Sequence, residues 1–464
     1  MTVLSTKPVS PAAPAALEFE YPRTAALRQD FIWGLSTSSF QIEGATQADG
    51  RGPSVWDTYC STGKVANHDT GEIACDHYHR YREDVALMRR LGIQAYRFSV
   101  AWPRILPLGR GKPNELGLAF YDRLIDEILD ADIEPWLCLY HWDLPQALDD
   151  LGGWTTRDSV SWFGEYAALV ASRYGDRVKR FATFNEPSIF TLFGLGFGGG
   201  KRATSSDDTL HRSIHHINLA HGAGVDILRG RIAGCSIGAI HNWQPCLPST
   251  PADVEAAKRC DLYWNTVYPD PQYLGKYPEA VLAKIEPHMQ PGDLARIHRP
   301  VDWFGVNHYG PVYIRAEKNS LLGFANGDRP PQISTTPIGW PTLPETFKAT
   351  LLSLNGRYRL PIYVLENGMG SYQEPDATGA IIDHDRICYL SAHIEALNGA
   401  VAAGADVRGY FIWSLLDNFE WDSGYAVRFG LTYVDYKTQQ RIPKASFEWY
   451  RNLIQLARRR QAPP

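Results

Sequence analysis

Apolar positions along the chain follow two alternating rhythms. Short, continuous runs of β-branched and aromatic residues fall at 31–37, 95–100, 134–140, 180–186, 234–241, 302–309, 361–366 and 407–415. Runs that are apolar at every position suit strands covered on both faces, as parallel strands are. Between them the period becomes helical. Val160, Phe163, Ala167, Val170 and Tyr174 step by three and four, with Thr155 and Asp158 spaced as a start signal and Gly175 as a stop. The same stepping runs through Ile387, Leu390, Ile394, Leu397 and Val401 to Gly404, and more loosely from Tyr81 to Leu91 before Gly92.

Eight strand-then-helix units predict an α/β fold: a single (β/α)₈ TIM barrel with long βα-loop insertions, the longest after strands one, four, six and eight. Residues 19–458 carry no internal repeat, low-complexity tract or flexible linker. They are expected to form one barrel domain, with 1–18 as a disordered N-terminal leader and 459–464 as a C-terminal tail. In such barrels the loops after the strand C-termini build the working face. Glu186 closes the fourth run and Glu366 the seventh.

The 464 residues, 44% of them apolar, can bury a large core, and a formal net charge of −5 offers no basic field for nucleic acid or anionic lipid. No apolar run approaches the ~18 residues that span a bilayer. The seven cysteines are scattered and never form a Cys-x-x-Cys pair, which reads as reduced thiols in a cytoplasmic protein. Residues 1–18 are rich in Ala, Pro and Ser without the basic start and apolar stretch of an export signal.

Thr183-Phe184-Asn185-Glu186-Pro187 and Val364-Leu365-Glu366-Asn367-Gly368 each end an apolar run with a glutamate at a loop edge. Cleaving a glycosidic bond needs one carboxyl that carries a proton and one that stays ionised; in a retaining enzyme the two stand ~5 to 5.5 Å apart. Two such acids cannot both ionise cheaply, so the less well solvated one holds the proton. The residue types alone do not say which glutamate plays which part. Other strand ends carry groups suited to sugar hydroxyls and pyranose faces: Gln41, His141 and Trp142, Asn307 and Tyr309, and the segment from Trp413 to Glu420 and Trp421. His77, His79, His215 and His216 lack metal-like spacing, so no metal is expected. The glycines of 194–200 are followed by Lys201-Arg202-Ala203 and not by a phosphate-loop ending. They predict a flexible insertion over the site.

The chain resembles glycoside hydrolase family 1, the β-glucosidase and β-galactosidase family, over about residues 19–458. The likeness rests on Phe31-Ile32-Trp33-Gly34 through Phe40-Gln41-Ile42-Glu43-Gly44, on Tyr140-His141-Trp142-Asp143-Leu144-Pro145-Gln146, on Thr183 to Pro187, and on Glu366-Asn367-Gly368. It implies that Glu186 is the acid/base and Glu366 the nucleophile. It also implies that Gln41, His141, Asn185, Glu420 and Trp421 hold the nonreducing sugar, with Asn185 at its 2-hydroxyl, while Arg97 and Tyr309 steady the nucleophile. Trp413 would form the sugar platform and Trp340 the aglycone side. Members acting on 6-phosphorylated sugars usually carry a small hydroxyl residue in place of Glu420, so an unphosphorylated hexoside is expected. Leu365 stands where many relatives have Thr, and His308 where Tyr is common; neither is an essential catalytic group.

The implied activity is a retaining β-glucosidase that releases terminal glucose from cello-oligosaccharides and aryl β-glucosides, with no cofactor. β-Galactosidase or β-fucosidase specificity remains open, because Gln41 and Glu420 suit either orientation of the 4-hydroxyl. A non-catalytic glycan-binding relative would lack one glutamate, and both are present. The expected partner is a small glycoside, not nucleic acid or a membrane; a homo-oligomer is compatible with the sequence.

Overall fold

The structure, a computed structural model, describes residues 19–192 and 206–461. Eight parallel strands close into a barrel. They are β1 (Ile32–Ser36), β2 (Ala95–Ser99), β3 (Glu134–Tyr140), β4 (Arg180–Asn185), β5 (Ser236–Asn242), β6 (Trp303–Asn307), β7 (Ile362–Asn367) and β8 (Val407–Trp413). Each pairs with its neighbours in sequence, and β1 closes on β8 from Ile32 opposite Gly409 to Ser36 opposite Trp413. All eight expected runs are strands, with ends displaced by at most a few residues.

Bulky and small side chains share the barrel interior. Trp136, Trp303, Tyr363 and Phe411 fill its lower layer with Leu365, and Trp136 lies 4.9 Å from Tyr363 and 5.3 Å from Phe411 between ring centroids. Glycines make room for them: a Cβ on Gly34 would come within 2.4 Å of Phe411, and one on Gly238 equally close to Trp303. At native packing density neither clash could relax without moving a strand.

The helical stepping also forms as expected, with two local differences. His77–Leu91 ends at Gly92 in the left-handed conformation, φ +81°, and His384–Ala402 is followed by Gly404 at φ +101°. The helix Ser159–Tyr174, however, begins after Thr155, whose hydroxyl bonds Gly152 in a separate short turn, so the expected capping pair does not form. Gly175 keeps helical angles, φ −69°; a Cβ there would meet the Ala171 carbonyl and Ile232 at 2.5 Å. Close approach, not backbone freedom, requires that glycine.

The connection after β5, 243–302, is also long, which the sequence pattern did not signal. Its strand Cys246–Pro248 pairs with Val312–Ala316, which pairs with Phe324–Asn326, and this three-stranded sheet walls the barrel mouth. The final helix, Ala445–Gln461, continues past 458. The leader 1–18 and the glycine-rich 194–200 lie outside the described residues. None of the seven cysteines forms a disulfide. No helix among the described residues is long and apolar enough to cross a membrane.

Candidate active site

A cavity of about 1100 Å³ opens at the C-terminal ends of the strands. Gln41, His141, Trp142, Glu186, Tyr309, Trp340, Glu366, Trp413, Glu420 and Trp421 line it, so the barrel brings these expected residues to one place. Asn185, Asn307 and Arg97 are buried beneath its floor.

Glu186 sits where strand geometry stops. Its N–H still donates to the Ile240 carbonyl at 2.8 Å, but its own backbone is left-handed, φ +51°, and Pro187 starts the helix Pro187–Thr191. Trp142 at φ +75° and Trp421 at φ +49° share that conformation. Such angles cost non-glycine residues energy and persist where surrounding structure enforces them. The Glu186 Oε1 accepts N–H bonds from Asn242, 2.9 Å, and Asn307, 2.7 Å. Both donors are neutral. Burial foremost, then the charge of Glu366, raises its pKa to about 8.

Glu366 lies in different company. Its Oε1 accepts from the Arg97 guanidinium at 2.7 Å and its Oε2 from the Tyr309 hydroxyl at 2.7 Å. Burial raises its pKa, opposed by Arg97, Tyr309 and the Asn307 side chain. Asn307 Nδ2 donates to Asn185 Oδ1 at 3.0 Å and to Glu186 Oε1 at 2.7 Å, and its amide lies near enough to Glu366 to help hold that pKa down. Because a cation and a phenol bond Glu366 directly while only neutral amides bond Glu186, a single negative charge resides on Glu366 and the proton on Glu186.

The sugar-suited groups interlock. Gln41 Nε2 donates to the Asn418 side chain at 3.1 Å, the Phe419 carbonyl at 2.9 Å and Glu420 at 3.3 Å. The Glu420 pKa is raised to about 8, by burial and then by Glu366 and Glu186, while bonds from Trp413 and Gln41 oppose the rise. The loop bearing Glu420 and Trp421 is anchored by buried Asp417, which accepts from Lys444 at 2.7 Å, from Arg428 at 3.1 Å and from the Gly430 N–H at 2.9 Å. Trp142 and Trp421 pack with centroids 4.5 Å apart, and the Trp142 indole donates to the Asn185 carbonyl at 3.0 Å.

Arg97 Nη2 donates to His141 Nδ1 at 2.9 Å, so the ring is neutral and carries its hydrogen on Nε2. Burial and Arg97 both push the His141 pKa well down. Asn185 Nδ2 lies 3.2 Å from that Nε2, two donors that face each other without bonding. Trp340, 39% exposed, stands at the mouth edge-on to Tyr309.

The other histidines are spent on structure. His77 bonds Asp84 at 2.8 Å, His79 bonds Asp76, His215 bonds Tyr277 and Asp293, and His216 bonds the Trp154 carbonyl. Among the described residues no group of three His, Cys, Asp or Glu side chains is placed to hold a metal. Sequence reasoning missed Asn242 and Trp264. The run ending at 241 stops one residue short of Asn242, although an asparagine at a strand's C-terminal end was the signal already met at Asn185 and Asn307.

The glycosyl hydrolase family 1 model matches residues 23–458. A thermostable β-glucosidase B of Thermobispora bispora is 44% identical over 96% of the chain and 92% of that protein. A bifunctional β-D-glucosidase/β-D-fucosidase of Bifidobacterium breve is 40% identical, over 93% of the chain and 98% of that protein. Among solved structures, the Thermotoga maritima β-glucosidase in complex with glucoimidazole superposes with TM-score 0.88 at 37% identity, covering 94% of the chain and 100% of that structure. A psychrophilic β-glucosidase from Micrococcus antarcticus gives 0.89 at 40% identity, over 93% and 98%.

Proposed function

The chain belongs to glycosyl hydrolase family 1, and on that premise we propose that it is a retaining β-glucosidase with Glu186 as acid/base and Glu366 as nucleophile. The observation that carries the assignment is the unequal company of the two carboxyls: Arg97 and Tyr309 bond Glu366, while Glu186 is bonded by the neutral amides of Asn242 and Asn307. In the first step a Glu366 oxygen bonds the anomeric carbon, the glycosidic C–O bond breaks, and Glu186 gives its proton to the departing oxygen. Ester formation removes the charge on Glu366, so the Glu186 pKa falls and it ionises. It then takes a proton from water, which attacks the anomeric carbon and releases Glu366 as carboxylate.

Gln41, His141, Glu420 and Trp421 hold the terminal sugar, Asn185 reaches its 2-hydroxyl through the cavity floor, and Trp413 supports the ring. Trp142 packs behind Trp421, and Trp340 faces the aglycone. The acid at Glu420 suits hydroxyls and opposes a phosphate. Cello-oligosaccharides and aryl β-glucosides are the substrates, and the seven thiols support a cytoplasmic site of action. A fucoside activity beside the glucosidase is the second reading, favoured by the Bifidobacterium breve relative. Rates on matched nitrophenyl β-glucoside, β-galactoside and β-fucoside test specificity, and proton NMR of the first-formed sugar tests stereochemistry. The β-anomer is expected; α-glucose appearing first would end the retaining assignment.

A further inference from the structure

An acid delivers its proton only from the oxygen that faces the leaving group. Glu186 Oε1 already accepts two N–H bonds, from Asn242 and Asn307, so its in-plane lone pairs are occupied and the proton is left to Oε2. That allocation depends on which end of the Asn242 amide faces the acid. The two ends are nearly isosteric, and a flipped amide would offer Oδ1 to Glu186, accept its proton and hold it away from the reacting bond.

Trp264 removes the choice. Its indole Nε1–H, which can only donate, lies 2.9 Å from Asn242 Oδ1, and both residues are buried. Flipping Asn242 would set an N–H against the indole N–H, break the bond between them, and strip Glu186 of one of its two bonds. The turn Leu262–Thr266 that carries Trp264 is tied to the exit of β5: Asn265 Oδ1 accepts the Gln244 N–H at 3.1 Å, and its Nδ2 donates to the Gln244 carbonyl at 2.8 Å. The insertion after β5 thus reaches back to set the hydrogen bonding of an acid just past the end of β4.

We propose that Trp264 is a positioning residue for the acid/base, acting through Asn242 to reserve Glu186 Oε2 for the reacting proton. The inference rests on the acid/base assignment above. Because the Trp264 ring also edges the cavity, the test must separate proton placement from aglycone contact.

Trp264→Phe keeps an aromatic ring but removes the pyrrole half of the indole together with its N–H, so the contrast between leaving groups and the Asn242 double variant separate proton placement from lost ring contact. Its kcat/KM on a poor-leaving-group alkyl glucoside should fall about ten-fold, a fraction of what full general-acid catalysis supplies. The alkaline limb of the profile should move to higher pH, because a carboxylate that loses a dependable donor binds its proton more tightly. Dinitrophenyl glucoside, whose departure needs no proton, should be affected far less. Asn242→Ala should raise the same limb, and adding Trp264→Phe to it should change nothing further. An unmoved alkaline limb in either single variant, or additive losses in the double variant, would overturn the proposal. Glu186→Gln with wild-type rate on the alkyl glucoside would instead overturn the acid/base assignment; an inactive Glu186→Gln beside an unmoved Trp264→Phe limb would refute the positioning role alone.

Discussion

Tyr309→Phe removes a single hydroxyl and isolates its effect on the nucleophile. The Tyr309 hydroxyl donates to Glu366 Oε2 at 2.7 Å, and both side chains are buried, 7% and 4% exposed. A hydrogen bond to a charged group in such a place contributes about 1.5–3 kcal/mol. At 1.36 kcal/mol per pKa unit this lowers the Glu366 pKa by about one to two units. Arg97 remains, and the phenyl ring still packs against Trp340 and Phe429, so the fold should persist. The acid limb of kcat/KM for an aryl β-glucoside should therefore move up by about one to two units. The assay is a pH–rate profile at low substrate on a variant whose melting temperature matches wild type. An acid limb within about 0.3 unit of wild type would refute the claim that this phenol stabilises the ionised Glu366.

Other residues give sharper tests of stability and recognition. Arg97→Met strands the buried Glu366 charge, so stability should fall by about 3–5 kcal/mol and activity with it; a urea midpoint equal to wild type would contradict the pairing. The folded-state pKa of Glu186, raised to about 8, means wild-type stability declines as pH rises from about 4.5 to about 8 through this group. Glu186→Gln should match wild type near pH 4.5 and exceed it at pH 8 by on the order of a few kcal/mol; melting curves at both pH values check the sign, and no gain at pH 8 would contradict it. Glu420→Ala deletes the carboxyl proposed to hold two sugar hydroxyls, so kcat/KM on glucoside should fall about 10²–10³-fold; steady-state kinetics measure it, and a loss under ten-fold would remove Glu420 from sugar recognition.

The barrel was legible because each buried parallel strand writes itself as a continuous apolar run and each helix as a stepped one. The two acids were legible because strand ends with glutamate are local in sequence. What stayed hidden depends on residues brought together from afar. Tyr309, just beyond β6, and Arg97, on β2, meet at Glu366, and only the family resemblance gave them that role. Trp264 reaches Asn242 across an insertion whose polar and aromatic residues carry no period. Gly175 looked like a helix stop, yet its smallness answers to Ile232, far along the chain, and no reading of 159–175 alone could find that. Thr155 and Asp158 had the spacing of a cap but were claimed by a neighbouring turn.

In the proposed reaction Glu366 becomes covalently bonded to the sugar while Glu186 handles the proton. Peptide mass mapping after incubation with an activated 2-deoxy-2-fluoro β-glucoside tests it directly, because the fluorine slows hydrolysis of the glycosyl ester. One fluoroglucosyl unit should be found on the peptide containing Glu366. A label on another residue, or turnover of this substrate with no covalent adduct, would contradict it.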